Sequence, residues 1–248
     1  MQPYIMRDCC ARYVTTANDR GLMELSKKDR DNNVNRYVER FREHGYAPET
    51  LGWNKGRQPV RFDILTEFGE LAGKRILDIG CGFGDLNKTL RAKFGDDYTY
   101  IGVELVEELV DEARKRYPQS NVRFVHGEFL DDAIQVEADV AMASGVFNYR
   151  FDDTDNYAFI EATMQKAFAL SKDGLAFDFL SDRVEYELPH TFHSNPGRIL
   201  DMAAVHSRNM VLRNDYIPFE FALYLYKDDA FVPEKAVFEK YDRDNSHG

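Results

Sequence analysis

Apolar and polar positions follow two rhythms along this chain. In NVNRYVERFREHG the apolar residues Val34, Tyr37, Val38 and Phe41 recur at i, i+3, i+4 and i+7. That is one face of a helix, and Gly45 is placed to end it. APETLGWNKGRQP is loop-like, and a second helix is expected over 59–71, with Phe62, Leu65 and Phe68 or Gly69 inward. Residues 1–72 thus read as a mostly helical N-terminal cap and lid.

From Lys74 short apolar runs alternate with amphipathic ones. KRILDIG, YTYIGVE, VRFVHG, ADVAMAS and LAFDFL read as strands. DLNKTLRAKFG reads as a helix ending at Gly95. LVEELVDEARKRYP places Leu105, Leu109, Val110, Ala113 and Tyr117 on one helical face. It pairs Glu112 with Arg116 at i, i+4, and it stops at Pro118. TDNYAFIEATMQKAFAL has Thr154 as candidate N-cap and Ile160, Met164, Ala167 and Phe168 as its face, with SKDG as the following turn. Repeated strand–helix–strand units predict a parallel sheet covered by helices on both sides. The end departs from this pattern. After a helix over about 196–208, NMVLRNDY and FEFALYLYK are separated by too few residues for a parallel crossover, so the last strand should pair antiparallel, as a hairpin. Residues 228–248 form a polar tail, expected to be loosely held.

Composition narrows the function. The 248 residues fit one large domain, and 44% hydrophobic residues are enough for a substantial core. The 43 acidic residues outnumber the 32 basic ones, and the formal net charge of -11 argues against nucleic acid as a substrate. No apolar run is long enough to span a bilayer, and MQPYIMRDCC lacks the charged and apolar regions of a secretory signal. Cys9, Cys10 and Cys81 are odd in number and two are adjacent, which suits a reducing compartment; a cytoplasmic location is expected.

The chemistry-bearing stretch is RILDIGCGFGDL, residues 75–86. Gly80, Gly82 and Gly84 stand at alternate positions behind a strand. Glycine there costs backbone entropy and packs nothing, so the return is close approach of the backbone to a ligand. The spacing is G-x-G-x-G, not the G-x-G-x-x-G of a dinucleotide turn, and Asp78 and Asp85 flank it. A pyrophosphate would be repelled there; a cation would not. Glu104 ends the next strand, 20 residues after Gly84, the spacing of a ribose-binding acid.

These residues resemble the first motif of the class I S-adenosylmethionine-dependent methyltransferases, and the likeness extends over about 74–180. The resemblance implies an α/β fold: a Rossmann-like, doubly wound, seven-stranded sheet with an antiparallel C-terminal hairpin strand. It implies S-adenosylmethionine as cofactor, bound by a domain over 73–227. Asp78 and Gly80 would border the methionine moiety, and Gly82 would admit the cofactor backbone. Glu104 would accept both ribose hydroxyls, and Leu105 would pack on adenine. Glu128 would accept the adenine amino hydrogens, and the Phe129 N–H would meet a ring nitrogen. Ser144 and Gly145 would lie near the sulfonium. By position, Trp53 and Gln58 are candidates to close over the cofactor.

Methyl transfer is an in-line displacement at an activated carbon, so the protein has to position the acceptor, exclude water and, where needed, remove a proton; no metal is required in principle. Tyr149 and Arg150 lie just beyond the fourth strand, where an arginine can clamp an anionic acceptor. Residues 181–208 form an insertion on the acceptor side, carrying Tyr186, His190 and His193. His190 is the candidate general base; His190 and His193 as metal ligands lack a third partner. Asp215 and Tyr216 fall in the hairpin turn. SGVF is not N-P-P-Y, so DNA-base and glutamine-amide methylation lose support. The expected acceptor is a small polar molecule: a metabolite, a sugar or a nucleotide-linked intermediate, methylated on O or N. The competing readings are a nicotinamide-dependent oxidoreductase and a non-catalytic, methyltransferase-like partner protein.

Overall fold

The computed structural model describes residues 23–53 and 56–242. The readings that rest on residues 1–22, Cys9 and Cys10 among them, lie outside these, as does the last part of the tail.

Two helices open the chain, α1 (Lys27–His44) and α2 (Gln58–Leu65). An alternating unit follows: β1 (Arg75–Ile79), α3 (Leu86–Phe94), β2 (Thr99–Glu104), α4 (Glu107–Arg116), β3 (Val122–His126), β4 (Ala138–Ala143), α5 (Asn156–Leu170) and β5 (Ser171–Leu180). Then come α6 (Pro196–Ala204), β6 (Met210–Arg213) and β7 (Glu220–Tyr226). The sheet has seven strands in the order β3-β2-β1-β4-β5-β7-β6. β1 to β5 pair in parallel; β7 runs antiparallel to both β5 and β6 and lies between them. Strand order reverses between β1 and β4, and a ligand site is expected beyond their carboxyl ends.

Alternate residues of the buried strands feed two core layers. Leu77, Ile79, Ala141 and Phe177 face α5 and α6 through Ile160, Met164 and Ile199. Ile76, Tyr100, Met142 and Ala176 face α2, α3 and α4 through Leu65, Leu90 and Val110. The α1 face read from the sequence packs as a satellite: Val34, Tyr37, Val38 and Phe41 gather around Phe83, Val106 and Leu109. Phe83 belongs to the glycine turn, so the cap helix sits directly on that turn. Among the described residues no helix is long and apolar enough to cross a membrane.

Several expected boundaries move. α2 ends at Leu65, where the Thr66 hydroxyl donates to the Phe62 carbonyl at 2.7 Å; Phe68 and Leu71 are buried from turns beyond it. Apolar spacing alone cannot separate a helix from buried turns that continue it. Thr154 does not cap α5. Asp155 does, accepting from the Ala158 N–H at 2.8 Å. SKDG is not a turn: α5 runs straight into β5, and Gly174 is a point of contact between strands, where a Cβ would lie 2.0 Å from the Leu225 carbonyl oxygen. Leu105 precedes α4 rather than lying on its face, and α6 stops at Ala204. Inside the segment expected to be loosely held, β8 (Phe231–Val232) pairs with β9 (Val237–Phe238).

Candidate active site

The turn after β1 is built by its backbone. The N–H groups of Gly80 and Cys81 donate to the Val103 carbonyl at 2.8 and 3.2 Å, which ties the turn to β2. Gly80, Gly82 and Gly84 have φ of 64°, 54° and 75°, in the left-handed region. Their reasons differ. A Cβ on Gly80 would stand 2.6 Å from Val146, and one on Gly84 would stand 2.6 Å from the Phe124 ring. Gly84 does not line the cavity, so packing accounts for it; Gly80 and Gly82 do line it.

Glu104 closes the turn from β2. Its carboxylate accepts from the Gly82 and Val106 N–H groups, both at 2.9 Å, while burial pushes its pKa up against those bonds. A carboxylate has about four acceptor sites, so two remain for hydroxyl donors from a ligand. Asp78, also buried, accepts from the Tyr100 hydroxyl at 2.6 Å. Asp85 plays no part in the cavity wall: its Oδ1 accepts from the Tyr46 and Tyr117 hydroxyls, both at 2.7 Å. Of the two acids read as repelling a pyrophosphate, Asp78 alone lines the site.

One cavity gathers Asp78, Gly80, Gly82, Glu104, Leu105, Glu128, Phe129, Ser144, Gly145, Trp53 and Gln58. These are the eleven residues read as cofactor contacts, drawn from six separate stretches of chain. Glu128 has structural work as well: its oxygens accept from the Leu25 N–H at 3.1 Å and from the Arg30 guanidinium. Sequence reading missed several contributors, Asn33, Tyr37 and Asp178 among them. Asn33 and Tyr37 reach the cavity from α1, and the Asn33 Oδ1 is buried without a hydrogen-bond partner. Asp178 on β5 accepts from the Ser144 hydroxyl at 2.5 Å and from the Gly145 N–H at 2.8 Å, fixing that turn. Its signal was present: an acid in the middle of the apolar run LAFDFL.

A second chamber, of about 500 Å³, opens beside the first. Tyr37, Leu51, Trp53, Gly145 and Tyr149 line both. His190 and His193 lie on its wall with Tyr186. Burial, Arg36 and Arg40 lower the His190 pKa and so favour its neutral form. His193 is tied into the loop, Nδ1 2.7 Å from the Ser181 carbonyl and Nε2 3.2 Å from the Thr191 hydroxyl. Among the described residues no group of three or more His, Cys, Asp or Glu could hold a metal ion. Arg150 does not join Tyr149 and His190. It lines neither chamber; its guanidinium donates to Glu187 at 2.9 Å and to the Thr191 carbonyl at 3.0 Å, strapping the insertion to the surface. Asp215 pairs outward with Arg213 at 2.7 Å, and the Tyr216 hydroxyl is buried without a partner.

The site fits the cofactor implied by the turn: a backbone cradle, a carboxylate with spare acceptor capacity, and an orphaned polar atom in the wall. Comparison with known proteins agrees. The sequence profile of a family described as a methyltransferase domain matches residues 76–173. Rv1506c of Mycobacterium tuberculosis strain H37Rv, named as a methyltransferase, is 32% identical over 159 residues, covering 61% of this chain and 92% of that protein. A ubiquinone biosynthesis O-methyltransferase from Xanthomonas oryzae pv. oryzae is 42% identical, over only 65 residues and 26% of either chain. Among solved structures, magnesium protoporphyrin IX methyltransferase from Synechocystis PCC 6803, with bound S-adenosylmethionine, superposes with a TM-score of 0.57 at 14% identity. That match covers 84% of this chain and 100% of the other. This family, and not the nicotinamide oxidoreductases or a non-catalytic partner, is where turn, sheet order and relatives meet: the chain belongs to the class I S-adenosylmethionine-dependent methyltransferases.

Proposed function

We propose that this enzyme methylates an oxygen or nitrogen of a small polar acceptor held in the second chamber. The observation that carries the reading is the shared wall: five residues line both the cofactor cavity and the chamber, so an acceptor there adjoins the bound cofactor. S-adenosylmethionine, when bound, supplies a methyl carbon already activated by its sulfonium. The chain's own residues do the rest. Glu104 holds the ribose hydroxyls with its free acceptor sites. Leu105 packs on the adenine, the Phe129 N–H meets a ring nitrogen, and Glu128 accepts the amino hydrogens with capacity left over from Leu25 and Arg30. Asp78, Gly80 and Gly82 border the methionine end; Ser144 and Gly145, braced by Asp178, shape the reacting end. Trp53, Gln58 and Tyr149 cover the cavity and keep water out. His190, held toward its neutral form, takes the proton from the acceptor. The insertion over 181–208 walls the chamber on the acceptor side, which fits a small molecule better than a polymer. The ubiquinone-pathway relatives support a small acceptor, over a quarter of the chain.

Calorimetry with S-adenosylhomocysteine tests the cofactor half. Glu104→Ala should weaken binding at least tenfold, about 1.4 kcal/mol. Transfer of labelled methyl from S-adenosylmethionine to a panel of hydroxylated and amino metabolites tests the acceptor half; label appearing only on protein or nucleic acid would overturn it.

A further inference from the structure

The second chamber runs against the acidic balance of the chain. The chain as a whole has a formal charge of -11. Yet Arg36, Arg40, Arg57 and Arg61 all line this chamber. The carboxylates on the same wall are Glu185, which is exposed, and Glu220. Glu220 is spent: Arg61 grips both of its oxygens, and Arg57 lies 4.0 Å from one of them. Arg36 and Arg40 are different. One helical turn apart on α1, neither forms an ion pair among the described residues.

Both guanidiniums are placed rather than loose. The Arg36 Cζ lies 5.0 Å from the centre of the Tyr149 ring, on the wall shared with the cofactor cavity. The Arg40 Nη1 packs over Gly52, 3.1 Å from where a Cβ would stand. The two also repel each other: Arg40 is pulled below its ordinary pKa by burial and by Arg36. Two guanidiniums without an ion-pair partner among the described residues face one chamber, with His190 of the insertion on the same wall, and make a site for an anion. Planar N–H forks match oxyanion geometry.

We propose that Arg36 and Arg40 bind an oxyanion of the acceptor, a carboxylate or a phosphate, and so orient its reacting atom toward the shared wall. The inference rests on the methyl-transfer reading above and narrows it. The acceptor is a small molecule with an anionic group beside its methylated hydroxyl or amine. Tyr37, Trp53, Tyr149 and Phe219 offer its body an aromatic lining. The anion clamp sought at Arg150 lies on α1 instead.

Trp53, the one tryptophan in the sequence, lines the chamber and reports on it. The full chain is titrated with benzoate, phenyl phosphate and neutral benzamide at constant ionic strength, with and without S-adenosylhomocysteine, following tryptophan fluorescence. At least one anion should bind saturably and about tenfold or more tighter than benzamide. Whichever anion binds better names the oxyanion. Arg36→Gln and Arg40→Gln should each cost that anion about tenfold, leaving benzamide and the calorimetric affinity for S-adenosylhomocysteine within about twofold. Arg40→Lys, which keeps the charge and loses the fork, should fall between. Benzamide binding as tightly as the anions, no saturable anion signal, or an anion affinity unmoved in both Gln variants overturns the inference. Loss of S-adenosylhomocysteine binding by the unaltered chain would instead sink the methyl-transfer reading, and the titrations without it judge the anion site separately.

Discussion

Asp78 sits buried at the end of β1, its carboxyl accepting from Tyr100. Burial first, then the charges of Glu104, Asp178 and Asp85, raise its pKa from 3.8 to about 7, against the Tyr100 hydrogen bond. The folded chain therefore keeps a proton that the unfolded chain releases, and this group's contribution to stability falls as pH rises from 3.8 to about 7. Asp78→Asn removes the penalty. The variant's Tm should exceed the parent's by more at pH 8 than at pH 5. Ionised Asp78 also attracts a cation, so the preference for S-adenosylmethionine over uncharged-sulfur S-adenosylhomocysteine should grow across the same window in the parent. Calorimetry should find it flat in the variant. At this scale much of the site was legible. The glycine turn and the Glu104 spacing are local in sequence, and the family likeness extends them to Glu128 and Gly145. Asn33 and Tyr37 were not legible as contacts, because they reach the cavity by the packing of α1, which no local pattern encodes. Arg150 went astray for a related reason: position after β4 says nothing of Glu187, 37 residues on, which takes its charge.

Among the described residues one ion pair between elements has both side chains buried. Arg61 of α2 holds Glu220 at the start of β7 with two hydrogen bonds, and its guanidinium stacks on Trp53 at 4.1 Å from the ring centre. Removing one member leaves the other charged in a dry place. Arg61→Met should cost about 3–5 kcal/mol of stability, and Arg61→Met with Glu220→Leu should regain most of it. Urea unfolding of the two variants checks both. Element type and order were readable from period alone, since buried parallel strands give short apolar runs and amphipathic helices give stripes. The boundaries were less so. Thr154 and Asp155 are both capping residues, and what selects between them is a tertiary demand: Thr154 is occupied with α1, its hydroxyl accepting from the Ser26 N–H at 3.0 Å. The place of β7 between β5 and β6 was likewise beyond a hairpin reading, which pairs neighbours only.

Across the whole molecule, polar contacts among the described residues moor α1 at two places besides its apolar face. Asp29 accepts from the N–H groups of Asp152, Asp153 and Thr154 at 2.8, 3.0 and 2.7 Å. Burial works against its charged form. The bonds from Asp152, Thr154, Ser26 and Asp153 outweigh that and hold its pKa down at about 2. Being below 3.8, this contribution to stability is present above pH 3.8 and is lost as pH falls toward 2. The other mooring is Glu128, which holds Leu25 and Arg30. Asp29→Asn should remove about 1.5–3 kcal/mol of attachment, seen as faster release of S-adenosylhomocysteine by stopped-flow dilution.

Glu128 thus both holds the start of the cap and lines the cavity. If adenine sits against Glu128 as proposed, a spent cofactor departing by that end would have to loosen the contacts of Glu128 with Leu25 and Arg30, and departure rather than bond-making should set the pace of the cycle. Rapid mixing of the enzyme with both substrates would then yield one quick equivalent of methylated product per chain, followed by a slower steady flow.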